Sequence, residues 1–369
     1  MKKTLFLTFL VLSLAPVMAY ATKKDAAKIA VASDSKDASA SISNKAGKCQ
    51  YYLIFDGTGE LIEVVDNPYK DAKRGAGSQT ADFLAQKGVT IIIAENFGAK
   101  MIDAMRNNST DYFQLSGVVH DAVKKILSPG NQILIKLDRN LSPESYESYR
   151  KLINIEPNGK KREYVLFTVK KGTDKVAGLF ISPASEKGRS TLRLDENMWL
   201  YIPNVGKPIR ITSLQSVVGG VFNNSDILRL DYAAEYFVEK MEELSDKKKL
   251  SNKEKLTKKE ELSDKYVLHL KAKTKTVAYD KLKMWVDKDK ILPTKIECLT
   301  EASMLIKTIY FKQNKDFGDK IVRPSVIETD SPLHKGYKSV MIFAKMKKRT
   351  FKNEVFTLTF MPNLESLRQ

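Results

Sequence analysis

Five residues carry the soft-metal or acid–base chemistry this chain could do: Cys49, Cys298, His120, His269 and His334. They lie far apart in sequence and none shows the spacing of a zinc site. Two cysteines exclude a disulfide framework but leave room for one bridge. His120 sits among aliphatic positions of a predicted helix and reads as a surface or packing residue. No Gly-x-Ser-x-Gly is present and no Cys/His pair stands close in sequence, so hydrolysis has no support. Gly75, Gly77 and Ser78 open a predicted helix whose free backbone N–H groups could bind an anion. A tight strand-to-helix turn is the competing reading of that loop. The stronger signal is apolar. Around Asn197-Met-Trp-Leu-Tyr-Ile-Pro203, Met198, Leu200 and Ile202 fill one face of a strand, and Trp199 and Tyr201 the other. Such a strand must be covered on both faces, by core or by something bound. A buried central strand is one reading, and a face that lines a cavity for a greasy ligand is the other.

The chain has 369 residues, which suits two domains. Lys28–Asp34, Tyr51–Asp56, Leu61–Val65, Val89–Ala94 and Tyr112–Leu115 read as strands. Gln79–Lys87, Ala99–Arg106 and Val118–Leu127 read as helices, the first stopped by Gly88. This is a small α/β domain of mixed sheet over 28–128. After a breaker at Ser128-Pro-Gly-Asn131, a helix is predicted to start at Ser142-Pro143 and cover Tyr146–Ile153. A second is predicted over Ile227–Glu243, and the rest of 135–369 is a run of strands ending with Val355–Phe360. With so few helices, the sheet must curl over its own apolar face into an unclosed barrel, with the helices as a lid. Between 239 and 265, Leu244, Leu250, Leu256 and Leu262 recur every six residues among charges of both signs. That step never builds one helical stripe, so the segment reads as a charged low-complexity insertion.

Two resemblances sharpen this outline. Ile29-Ala-Val-Ala-Ser-Asp34, Gly47-Lys-Cys-Gln-Tyr-Tyr-Leu-Ile-Phe-Asp56, Gly75-Ala-Gly-Ser-Gln-Thr-Ala81 and Glu95-Asn-Phe-Gly98 resemble the dinitrogenase iron–molybdenum cofactor biosynthesis family. That resemblance implies a ribonuclease H-like fold and, for some members, carriage of an iron–sulfur cofactor precursor. Cys49 is the one soft metal ligand nearby, and one thiolate is too few for a cluster. No cofactor is expected. Asn197–Pro203 with Pro208-Ile-Arg-Ile211, and Met284-Trp-Val-Asp-Lys-Asp-Lys-Ile-Leu-Pro-Thr-Lys-Ile-Glu297, resemble the LolA-like outer-membrane lipoprotein-sorting proteins. This second resemblance implies a half-barrel with lid helices that holds acyl chains and does no chemistry. It also makes an inner-membrane exporter a plausible partner. Phe180, Trp199, Tyr201 and Met284 are then the candidate walls of the lipid cavity, with core packing the alternative for each.

The address fits a carrier. Lys2 and Lys3, an apolar run from Leu5 to Met18, and Ala19-Tyr-Ala21 form a secretory signal peptide over 1–21. No cysteine follows for lipid anchoring, so a periplasmic protein is expected. The net charge of +18 suits an anionic membrane surface. Nucleic acid is not expected, since export and the absence of a binding motif argue against it. The reading is thus a non-catalytic periplasmic carrier that shields the acyl chains of a lipoprotein or lipid on the way to the outer membrane. A metal-cluster or redox accessory role through the first domain is the alternative.

Overall fold

A computed structural model describes residues 27–244 and 264–368. The signal-peptide assignment lies outside these residues, as does most of the charged insertion. The chain divides into two compact units between Lys124 and Lys125.

In the small unit, β1 (Ile29–Ser33), β2 (Tyr51–Phe55), β3 (Leu61–Asp66), β4 (Ile91–Ala94) and β5 (Asp111–Gln114) form one sheet. Its order is β3-β2-β1-β4-β5, antiparallel from β1 to β3 and parallel from β1 through β4 to β5. The central strands are Ile-Ala-Val-Ala-Ser and Ile-Ile-Ile-Ala, buried at every position, as strands covered on both faces must be. The helices are α1 (Ala76–Gln86), α2 (Ala99–Asn107) and α3 (Val119–Leu127). α1 stops where Gly88 turns left-handed (φ +77°) and the Val89 N–H closes back on Leu84 O.

The large unit is a thirteen-stranded antiparallel sheet with few helices: an unclosed half-barrel. One meander runs through β6 (Ser145–Ile155), β7 (Lys161–Lys171), β8 (Lys175–Ser182), β9 (Ser190–Leu194), β10 (Asn197–Tyr201) and β11 (Ile209–Ile211). The other runs through β12 (Tyr236–Leu244), β13 (Lys265–Ala272), β14 (Lys281–Asp287), β15 (Leu292–Leu299), β16 (Leu305–Asp316), β17 (Val322–Asp330) and β18 (Lys338–Lys348). Pairing of β18 with β6 joins the two, which leaves β11 and β12 as the edges. Three helices, α4 (Pro129–Leu141), α5 (Asn224–Ile227) and α6 (Tyr232–Glu235), cover the concave face. Leu134, Leu137 and Leu141 of α4 enter the main apolar cluster there, against Leu152, Met284 and Ile296. Burial of each such side chain favours folding by roughly 1.5–3 kcal/mol. The convex face carries a second cluster, built from Phe167, Leu179 and Leu192 and closed by Phe351, Phe356 and Met361.

Several predicted elements change identity. Ser128-Pro129 is a helix start, not a breaker: the Ser128 side chain accepts the Asn131 N–H and Pro129 stands in the first turn of α4. Tyr146–Ile153, predicted helical, is the core of β6. Its inward positions are Tyr146, Ser148, Arg150, Leu152 and Asn154, all buried. Three of the five are polar, so the period of two is hidden from any hydrophobicity count. Ile227–Glu243 breaks into α5, α6 and β12, since Asn223 and Asp226 form a capping box around a single turn. Val355–Phe360 is not a strand but lies in and beyond a short 3-10 turn, Asn353–Phe356.

Candidate functional site

The anion loop and Cys49 can be followed first. Gly75 holds φ +72° at the N-terminus of α1, and the Ser78 hydroxyl donates to Gly75 O. A Cβ on Gly77 would stand 2.8 Å from Met101 Cβ, and one on Gly47 2.8 Å from Gly77 Cα. Both glycines therefore serve close packing of α1 against α2 and the turn at Ala46–Lys48. Cys49 is fully buried. Its thiol donates to Ala46 O at 3.3 Å, and the Tyr52 hydroxyl reaches the same oxygen at 2.6 Å. Burial pushes the Cys49 thiol up to about 12, so it stays protonated. Among the described residues no group of three or more His, Cys, Asp or Glu side chains could hold a metal ion.

The four aromatic and Met candidates separate onto two faces of the large sheet. Phe180 and Met284 belong to the concave cluster. Trp199 and Tyr201 pack with the convex one, beside Leu192 and Leu194. Alternation along β10 is the cause: Met198 and Leu200 take the buried inner positions, so Trp199 and Tyr201 point out. The four do not come together, and none lines the interior cavity. Trp199 and Tyr201 are thereby corrected to convex-face packing residues.

The cavity itself lies under the lid helices and has a volume of about 50 Å³. Its apolar walls include Phe222, Ile296, Ile309, Phe311 and Met341. Its polar walls are what the sequence did not reveal: Arg150, Arg229, Arg323, Tyr146, Asp226 and Glu235. Arg150 projects from β6, donating to Ile227 O of α5 at 2.9 Å and to the Tyr146 hydroxyl at 3.1 Å. Arg323 projects from β17 and donates to Leu141 O at the end of α4, 2.7 Å away. Both guanidiniums lie over the Phe343 ring, at 4.7 and 4.0 Å from its centre. The Arg229 guanidinium is 4.6 Å from the Tyr232 ring centre. Two of the three arginines thus tie lid backbone to the concave sheet.

The carboxylates nearby are already engaged. Asp226 pairs with Lys307 at 2.8 Å and Glu235 with Arg193, while Asp231 pairs with buried Lys170. Asp138 of α4 accepts the Tyr232 and Ala233 N–H groups at 2.9 and 2.8 Å and so caps α6. Its burial, with Asp231 close by, raises it to about 7. Among the described residues no carboxylate makes an ion pair with Arg150, Arg229 or Arg323. Burial would raise the Tyr146 phenol, but Arg150, Lys170 and Arg323 together outweigh it and hold it below its ordinary value. Burial, with Arg229 and Arg150 adding repulsion, pushes Arg323 down to about 9. The interior is therefore apolar and electropositive at once.

Comparison with known proteins agrees with both halves of the fold. A family model described as "Uncharacterized protein" matches residues 172–363, more than half of the chain, and the chain belongs to that family. A model described as dinitrogenase iron-molybdenum cofactor matches residues 27–128. The chain is similar to a LolA-superfamily protein of Nitrosomonas europaea, at 25% identity and a TM-score of 0.54, covering 63% of this chain and 98% of that one. A DUF1329-family protein of Desulfovibrio piger is 20% identical with a TM-score of 0.52, covering 63% and 97%. A domain of Vibrio parahaemolyticus named for outer-membrane lipoprotein sorting is 19% identical with a TM-score of 0.51, over the same shares. At those identities the last two show the fold alone. An uncharacterized protein of Methanocaldococcus jannaschii is 25% identical over 87 residues, which is 23% of this chain and 74% of that protein. The large unit is thus a LolA-like half-barrel, and the small one matches a cofactor-related domain family.

Proposed function

We propose that this protein is a non-catalytic carrier that shields an acyl chain of a lipid or lipoprotein between the concave sheet and its lid helices. The observation that carries the reading is the half-barrel itself. A thirteen-stranded unclosed sheet turns its apolar face toward helices anchored to it partly through arginine side chains, rather than through packing alone. Burying one methylene favours binding by ~0.8 kcal/mol, so a chain of about 16 carbons contributes on the order of 10 kcal/mol. A drug-sized ligand needs ~300–1,000 Å³, whereas the present cavity is about 50 Å³. Loading therefore requires α4, α5 and α6 to move away from the sheet. Phe180 and Met284 stay in this reading as part of the apolar floor exposed on opening.

Export to the periplasm and transfer toward the outer membrane complete the proposal, with the small domain as a docking or structural module. An inner-membrane exporter is a candidate donor. Contact with an anionic membrane draws support from a groove of about 570 Å³ beside the lid, lined by Arg139, Lys320, Lys348 and Arg349. No described helix is long and apolar enough to cross a membrane.

The test is native mass spectrometry with organic extraction of the mature protein purified from the periplasm, followed by displacement of a fluorescent fatty acid. Retained acyl lipid at one per chain, displaceable by the probe, is the expected result. Ligand-free protein that also takes up no probe would leave the half-barrel a packed scaffold and the carrier reading wrong.

A further inference from the structure

The three arginines call for an explanation that acyl binding does not supply. A hydrocarbon chain needs no charge in its pocket, and buried cations without counter-charges are costly in a low-dielectric interior. Burial would lower Arg229, but Tyr232, Asp138, Tyr146 and Asp231 outweigh it and hold it above its ordinary value. Arg150 and Arg323 are pushed down by burial, with Arg229 adding repulsion, and their cost is the one left to be offset. The hydrogen bonds of Arg150 and Arg323 go to neutral groups: Ser148 Oγ, Ile227 O and Tyr146 Oη for Arg150, Leu141 O and Pro324 O for Arg323. Arg323 is 1% exposed, and its Nη2 has no hydrogen-bond partner among the described residues. An unpartnered donor this deeply buried is rare in folded proteins and marks either strain or a missing acceptor. Here it belongs to a side chain that lines the same cavity as Arg150 and Arg229.

We propose that Arg150, Arg229 and Arg323 form an oxyanion site that takes the acid group, carboxylate or phosphate, of the acyl amphiphile carried in the half-barrel. The inference rests on the carrier reading and narrows its cargo to acidic amphiphiles. Guanidinium forks match planar carboxylate and tetrahedral phosphate oxygens better than any other side chain. The cavity of about 50 Å³ suits a group of a few non-hydrogen atoms and not a chain. The head is held there, then, while the chain runs out between the sheet and the helices that open for it. The depressed Tyr146 phenol reports the same excess of positive potential at this spot. Because Arg150 and Arg323 also hold Ile227 O and Leu141 O, an anion competing for their donors would loosen α5 and α4. Head-group binding and lid opening would then be one event.

The experiment compares matched ligands on the delipidated mature protein by titration calorimetry: dodecanoate, dodecyl phosphate, dodecanol and inorganic phosphate. The acid and the phosphate ester are expected to bind roughly tenfold or more tighter than the alcohol, a gap the size of one charge-assisted hydrogen bond. Arg229→Met and Arg323→Met should each shrink the ratio of acid to alcohol affinity. Arg229→Met guards the test should Arg323→Met not fold, and the wild-type comparison needs no variant at all. Equal binding of acid and alcohol would overturn the oxyanion site while leaving the carrier intact. Binding of inorganic phosphate without dodecanoate would overturn the amphiphile assignment. Failure of every chain-bearing ligand would remove the carrier reading and this inference with it.

Discussion

Two buried polar clusters, one in each unit, differ in charge and in how fully their hydrogen bonds are met. Around Cys49 in the small unit, every group meets its complement. The Asn67 amide donates to Gly47 O and Cys49 O, and its oxygen accepts from Tyr69 N and the Thr80 hydroxyl. Among the described residues, no buried side-chain N or O of the small unit lacks a partner. Around Arg323 in the large unit, Arg150 and Arg323 bond only neutral groups among the described residues, and one donor of Arg323 is left over. A polar cluster that closes on itself specifies structure; one that stays open to an absent acceptor points to a ligand. The small unit's conspicuous cysteine, Cys49, thereby falls on the structural side. The large unit's inconspicuous arginines fall on the other.

This contrast can be broken by mutation, and the largest effect should come from a closed pair within the large unit. Lys170 is 2% exposed and paired with Asp231. Lys170→Ala leaves that carboxylate buried with partly exposed Arg139 and the more distant pull of Arg229, and a loss of roughly 3–5 kcal/mol is expected in urea unfolding. Replacing both partners, Lys170→Met with Asp231→Leu, should cost much less if the penalty comes from the orphaned charge.

Next in size is a pH effect at Asp138. Its folded pKa of about 7 lies above the ordinary carboxylate value of 3.8, so between those pH values the folded state holds a proton that the unfolded chain has lost. Stability from this group therefore falls as pH rises through that window. Asp138→Asn cannot titrate, so the advantage of wild type over the variant should shrink by roughly 2–3 kcal/mol from pH 5 to pH 8. Melting curves at the two pH values decide it; a constant difference would mean that the carboxylate is ionised throughout. In the small unit, Asn67→Ala strips partners from several buried groups at once and should cost roughly 1–3 kcal/mol, read by thermal unfolding. Cys49 should then become reactive toward a thiol probe that leaves the wild type untouched.

How much of this was legible beforehand follows the same division. The small unit could be read because its strands are uniformly apolar and its turns carry glycine, as in Ile29–Ser33 and at Gly88. Much of the large sheet was legible for a related reason: Leu282, Met284 and Val286 alternate cleanly along β14. β6 was not, because Ser148, Arg150 and Asn154 occupy inward positions that a structural strand would fill with aliphatics. A strand misread as a helix was thus an early sign of the site, since local rules fail where function overrides them. Trp199 and Tyr201 misled for the opposite reason. Aromatic bulk marks burial but not which face of a sheet is buried, and only the 3-10 turns at Asn353–Leu367 reveal that the convex side is covered too. Lone cationic residues scattered over β6, β17 and the turn before α6 offer no spacing to recognise. The curl of the sheet brings them together.

The smallest predicted change in stability is the one that bears hardest on the comparison. Were Arg323 a structural member of its cluster, as Asn67 is of its own, its removal should cost as much as any buried polar deletion. The open-cluster view says otherwise. Arg323→Met gives up the bond to Leu141 O and the stack on Phe343, but it also removes a buried cation that two neighbouring arginines repel. Methionine keeps the stem's apolar contacts and adapts to the space left by the guanidinium. The two contributions nearly cancel, so the ligand-free variant should unfold within about 1 kcal/mol of wild type, or above it. A loss of 3 kcal/mol or more would place Arg323 with the closed clusters and return the cavity to the core.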